Sequence, residues 1–200
     1  MIPTETFVLL LSLGGILALD GTSVGQIMIS RPLVGGVLTG CLMGDPATGL
    51  LVGGVLELYF IPVFPVGGAD FPEGGPPSVV GVVGATLLPG MEGLALGVFL
   101  GLFFSRLAAF SIRLLRTVNG RLVADPSRGP VGEARILWGH LAGIVLDFFR
   151  GVVLTGGGIG VALFLAEVLE GLWPLSLSMT LGLLLLGASI PAGAFVASLG

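Results

Sequence analysis

Ionisable and amide side chains are scarce in this sequence, so each one in an apolar setting is a candidate for chemistry. Between the first apolar run and residue 75 they include Asp20, Gln26, Arg31, Asp45, Glu57, Asp70 and Glu73. Carboxylates and amides each offer paired hydrogen-bonding atoms, the chemistry that holds sugar hydroxyls in a shallow polar cavity. Asp20, Gln26, Glu57 and Asp70 are therefore the candidate solute contacts. Asp20 and Gln26 flank the turn LDGTSVGQIMISRP, and Glu57 lies in VGGVLELYFIPV with no turn beside it to explain a charge. An ionisable group at membrane depth costs about 2.5–3.5 kcal/mol and usually faces a cavity or a partner. Two readings stand for Glu57: an ion pair with Arg31, or contact with a hydroxyl-rich or ionic solute. Asp70 and Glu73, in PVGGADFPEGGPPS, are equally well explained by loop solvation.

Other chemistries are excluded or weak. All eight basic residues are Arg, which removes the lysine of a phosphate-binding loop and of Schiff-base catalysis. One cysteine, Cys41, and one histidine, His140, cannot build a His/Cys metal cluster. A membrane enzyme using Asp20, Glu57 and His140 as acid–base groups is the competing reading, but no spacing among them suggests a dyad. No catalytic residue, metal or cofactor is expected on this chain. A net charge of −4 argues against a nucleic-acid partner.

The elements that position these groups must lie in lipid. Of 200 residues, 54% are hydrophobic and 10% charged, with a mean hydropathy of +1.09. A soluble domain carries roughly 25% charged residues, so the expected fold class is an all-α polytopic membrane protein. Apolar stretches fall near 7–19, 27–44, 47–66, 77–89, 91–112, 136–149, 151–169 and 172–199. Several are too short to cross an ~30 Å hydrocarbon core, which predicts re-entrant or broken helical hairpins beside full transmembrane helices. No basic residue precedes the run from Phe7, so that run reads as an uncleaved first span or partial span. Glycines at small-xxx-small spacing (Gly36/Gly40/Gly44, Gly49/Gly53, Gly97/Gly101, Gly139/Gly143, Gly156/Gly160) predict close helix contacts.

The clearest local signal is RPLVGGVLTGCLMGDPATGLLVGGVLEL, residues 31–58. It reads as a helix–turn–helix hairpin. Gly44 ends the first arm in a left-handed turn, and Asp45 caps the second, with Pro46 at its first position and Thr48 at its third. Arg31, Asp45, Pro46 and Thr48 are thus assigned to the shape of the hairpin.

Residues 1–105 are expected to form an N-terminal membrane part, with a hairpin over about 31–64 and a Gly/Pro-rich break at 65–77. The stretch 105–135 holds six of the eight arginines and reads as a polar loop, cytoplasmic by the positive-inside rule. His140, Gly143, Asp147 and Arg150 share one helical face in 133–150. That pattern predicts an amphipathic interfacial helix on the cytoplasmic leaflet, or more sharply a docking or gating element, with Arg150 starting the next span. Residues 151–200 then carry the C-terminal spans, turning near Trp173 and Pro174.

At several of these positions the sequence resembles the membrane IIC subunit of mannose/fructose/sorbose-type phosphotransferase systems. The matching residues are Asp20, Gln26, Arg31-Pro32-Leu33, Gly44-Asp45, Thr48-Gly49, Gly53-Gly54 and Leu56-Glu57, followed by PVGGADFP and, further on, His140 and Arg150. The likeness runs over about residues 7–195. It implies a multi-pass subunit of a bacterial cytoplasmic (inner) membrane that forms a hexose pathway with a homologous IID membrane subunit, within an oligomer. Cytoplasmic IIA and IIB components would carry phosphate from phosphoenolpyruvate, so His140 is not the phosphate donor. Family members continue for one more span after the segment resembling SIPAGAFVASLG, and this chain is expected to lack it. A structural or regulatory membrane subunit without transport is the alternative.

Overall fold

The computed structural model describes residues 2–61, 71–124 and 132–170, together with Gly182. Among the described residues six helices form: α1 (Thr4–Thr22), α2 (Pro32–Met43), α3 (Pro46–Phe60), α4 (Gly75–Leu87), α5 (Gly90–Ala124) and α6 (Glu133–Glu170). No strand occurs among the described residues. Helices α1, α5 and α6 are long and apolar enough to cross a membrane; α2, α3 and α4 are apolar but short. At 1.5 Å per residue, the 12, 15 and 13 residues of these three helices reach only about 18–23 Å, short of an ~30 Å core.

Short helices at membrane depth must be covered by protein, and α4 shows how. It touches all five other helices, and its residues from Gly75 to Ala85 are all buried. Val52, Leu56 and Phe60 of α3 pack with Val82 of α4 and Val98 and Leu102 of α5. Val80 meets Leu96, Leu100 and Phe104 of α5 and Ala162 of α6. Val79 and Val83 meet Leu10 and Leu17 of α1 and Ile159 of α6. The helices around α4 present large apolar side chains outward, among them Val8, Leu51, Trp138, Val153 and Phe164.

The hairpin forms as its residues dictate. Gly44 adopts φ 77°, the left-handed cap that closes α2. Asp45 accepts the Thr48 amide at 3.0 Å and the Thr48 hydroxyl at 2.6 Å. The two arms meet backbone to backbone. A methyl on Gly36 would lie 2.6 Å from the Gly49 carbonyl oxygen and 2.8 Å from Gly53 Cα, so side chains there would push the arms apart.

Three expectations need correction. The Arg-rich stretch 105–135 is not a loop from its start, because α5 continues to Ala124. Ala108, Ala109 and Leu115 are buried on one side while Arg113 and Arg116 stay exposed, so the arginines mark the polar face of a projecting helix. Likewise, 133–150 is not a separate interfacial helix with a new span at Arg150. It is the first half of the unbroken α6; on its polar face His140 stays exposed, while Gly143 is buried and Asp147 wholly so. Finally, a methyl on Gly160 would meet nothing within 4 Å; a methyl on Gly151 would instead lie 2.6 Å from Ala18 Cβ and 2.9 Å from Gly15 Cα, so α1 and α6 pack closely at that glycine. Asp70, Trp173, Pro174 and the final apolar stretch lie outside the described residues.

Candidate functional site

Asp20 sits in the last turn of α1, 4% exposed, and organises the loop that follows. Its Oδ1 accepts the Ile27 amide at 2.7 Å and its Oδ2 the Ser30 amide at 2.9 Å. Two backbone donors on one carboxylate give a charge-assisted clamp. The clamp holds a loop that contains Gly25, Gln26 and Met28 at φ 94°, 52° and 70°. Left-handed backbone is uncommon for side chains such as Gln and Met, and Asp20 supplies the anchoring bonds. Gln26 is exposed on the outside of this loop.

Beyond the loop, Ser30 and Arg31 form one wall of a cavity of about 500 Å³. That is within the roughly 300–1,000 Å³ of small-molecule sites. Glu57 and Phe60 of α3 line a second wall, Phe71 and Glu73 a third, and Ile112, Arg113 and Arg116 of α5 a fourth. Arg31 forms an ion pair with Glu57, whose side chain is 15% exposed against 55% for Arg31. Glu57 Oε2 also lies 3.4 Å from the Leu33 amide. A carboxylate offers about four lone-pair sites, so these contacts leave Glu57 able to accept from a solute. Glu57 is thus paired with Arg31 and also lines the cavity.

Behind the Glu73 wall lies a network that residue types alone do not reveal. Arg150 donates through Nη1 to Glu73 Oε2 at 2.6 Å and through Nη2 to Glu73 Oε1 at 2.8 Å, a bidentate pair. Its Nε donates to Asp147 Oδ1 at 2.8 Å and its Nη1 also to Ser111 Oγ at 2.9 Å. The other Asp147 oxygen accepts from the hydroxyls of Thr22 and Ser23. One guanidinium thus ties the segment before α4, α5 and α6 together, and Asp147 adds the end of α1. Burying an isolated charge is costly, and a fork of planar donors matched to two carboxylates is what offsets it. The signal available in sequence was the i, i+3 pair Asp147/Arg150 inside an apolar run; nothing local pointed to Glu73, 77 positions away.

The remaining candidates separate from this cavity. Asp45, Pro46 and Thr48 sit at the exposed or part-exposed hairpin tip and line neither cavity. His140 belongs to a second groove of about 350 Å³, with Thr22, Ser23 and Asn119. Asp20, Glu57 and His140 line no common cavity, so the structure does not assemble the acid–base trio that an enzyme reading needs. No cluster of three His, Cys, Asp or Glu side chains that could hold a metal occurs among the described residues.

Comparison with known proteins decides the family. Residues 6–126, which include Asp20, the hairpin and most of the cavity wall, match the family model described as PTS system sorbose-specific IIC component. The chain belongs to this family. The sorbose-specific EIIC component of Lacticaseibacillus casei is 24% identical to this IIC-family chain over 132 residues, covering 65% of this chain and 47% of that protein. The mannose-specific EIIC component of Escherichia coli (strain K12) is 23% identical, covering 65% of this chain and 49% of that protein. The IIC-family chain thus spans about half the length of the relatives it matches. Its fold is similar to that in the cryo-EM structure of the mannose transporter ManYZ with microcin E492, with TM-score 0.65 and 24% identity over 99% of this chain and 79% of that one. A second solved membrane protein has TM-score 0.67 and 22% identity, covering 98% of this chain and 78% of that one.

Proposed function

We propose that this chain is the sugar-translocating membrane subunit of a phosphoenolpyruvate-dependent phosphotransferase system. It binds a hexose in the cavity of about 500 Å³ and passes it to a cytoplasmic phosphorylating component. The observation that carries this reading is the character of that cavity. It combines Glu57 with Arg31, a buried Glu73, and the aromatic rings of Phe60 and Phe71. Carboxylates accept from sugar hydroxyls, arginine donates to them, and the rings cover apolar ring faces.

Within this reading Glu57 is the direct contact. Asp20 acts one step back, since its oxygens hold the amides of Ile27 and Ser30 and so fix the wall that Ser30 and Arg31 form. Gln26 is an outer contact on the same loop. Asp70, adjacent in sequence to Phe71, is a further candidate contact. The site works in the cytoplasmic membrane of a bacterium with the Arg-rich 106–135 region on the cytoplasmic side. The outward apolar side chains of α1, α3 and α6 meet lipid and a homologous IID subunit, and cytoplasmic IIA and IIB components deliver phosphate. The chain itself performs no catalysis.

Phosphoenolpyruvate-dependent uptake into vesicles carrying the full system tests this. Glu57→Gln is expected to abolish uptake with assembly intact, and Asp20→Asn to reduce it severely. Wild-type uptake by both variants contradicts the proposal. Co-purification with a membrane partner but no hexose binding by the complex would point to the structural alternative.

A further inference from the structure

The second groove sits between the end of α5 and the start of α6, lined by Thr22, Ser23, Asn119, Gly139, His140 and Gly143. Its volume is about 350 Å³. Asn119 Oδ1 is buried there without a hydrogen-bond partner, and buried polar atoms normally have one. The same amide lies directly against Gly143, where a methyl would sit 3.0 Å from Asn119 Nδ2. Glycine is thus what leaves room for the amide to face the groove.

The two cavities are neighbours along one helix face. Ala109, Ile112 and Arg116 line the first, and Asn119 and Val123 line the second. These positions recur at i, i+3, i+7, i+10 and i+14, the spacing of one helical stripe. Thr22 lines both cavities, and its hydroxyl, with that of Ser23, bonds to the buried Asp147. The end of α1, held by two hydroxyl–carboxylate bonds, therefore touches both cavities.

We propose that this groove is a second site for a neutral, hydroxyl-rich solute, reached from the first cavity past the Thr22/Ser23–Asp147 contact. Asn119 Oδ1 accepts a solute hydroxyl, while Asn119 Nδ2 and the His140 ring supply further polar atoms. Among the described residues its lining is polar without an arginine, in contrast to Arg31, Arg113 and Arg116 in the first cavity, which suits a neutral solute. The inference rests on the sugar-translocation reading, of which it supplies the second station.

Equilibrium dialysis of radiolabelled mannose and sorbose against the full chain in lipid nanodiscs tests it. Two binding events per chain are expected. Asn119→Leu removes one, Glu57→Gln removes the other, and His140→Ala, at an exposed position, weakens the Asn119-dependent event about tenfold. A single event that is lost in Glu57→Gln and unchanged in both Asn119→Leu and His140→Ala overturns the second site and leaves the first standing. No binding to the wild-type chain overturns both readings.

Discussion

Arg150 is the residue whose removal the structure predicts most sharply. Its side chain is 9% exposed, and it is bound to two carboxylates, Glu73 and Asp147, that are 4% and 0% exposed. Arg150→Met keeps the apolar stem but deletes every donor, leaving two negative groups buried at close range with no cation between them. Breaking a buried pair by removing one partner costs about 3–5 kcal/mol, and two stranded carboxylates place this variant at the upper end. At about 1.4 kcal/mol per tenfold, that shifts the folding equilibrium by over a thousandfold. The triple variant Arg150→Met/Glu73→Gln/Asp147→Asn removes all three charges and should recover most of the loss, because the cost arises from the uncompensated charge. Unfolding titrations in mixed detergent micelles, followed by far-UV circular dichroism, measure both. Arg150→Met within about 1 kcal/mol of wild type, below the range for a broken buried pair, refutes the reasoning. So does a triple variant as unstable as the single one.

Other perturbations read other parts of the fold. Asp45→Ala removes the cap that holds the Thr48 amide and hydroxyl and should cost about 0.5–2 kcal/mol in the same titration, with Asp45→Asn close to wild type. Gly36→Ala forces a methyl to 2.6 Å from the Gly49 carbonyl oxygen and should destabilise by about 1–3 kcal/mol. Gly157→Ala, with nothing within 4 Å, should be neutral or stabilising by up to about 1 kcal/mol; equal effects of the two would contradict the packing described. Asp20→Ala frees the amides of Ile27 and Ser30, so hydrogen exchange at both should accelerate by at least tenfold, for bonds to a charged group worth about 1.5–3 kcal/mol.

What was legible in the sequence was local. The Gly44–Asp45–Pro46–Thr48 turn could be read residue by residue because a left-handed cap, an N-cap acceptor and a proline at the first helical position act within one turn. The membrane setting and the short helices followed from composition and interruption. Two kinds of information were not local. A polar helical face reads the same whether it meets water or a buried network, so His140–Gly143–Asp147–Arg150 suggested an interface, and only Glu73, Ser111, Thr22 and Ser23 turn its Asp147–Arg150 end inward. Arginines along α5 suggested a loop because charge marks the membrane boundary without saying whether a helix continues through it. Asp20 illustrates a third case: its position was noticed, but its partners are backbone amides, which no residue type announces. For Glu57 the choice between pair and solute contact was never exclusive, since a carboxylate has lone pairs for both.

The central claim is that Glu57 and its cavity bind sugar, and direct binding tests it. Radiolabelled mannose, fructose and sorbose are titrated in parallel against the purified chain in nanodiscs, for wild type, Glu57→Gln and Asp45→Ala. Binding of at least one sugar to wild type, undiminished in Asp45→Ala and weakened at least tenfold at the first site in Glu57→Gln, is the predicted result. Sugar binding of equal strength and stoichiometry in wild type and Glu57→Gln would contradict it.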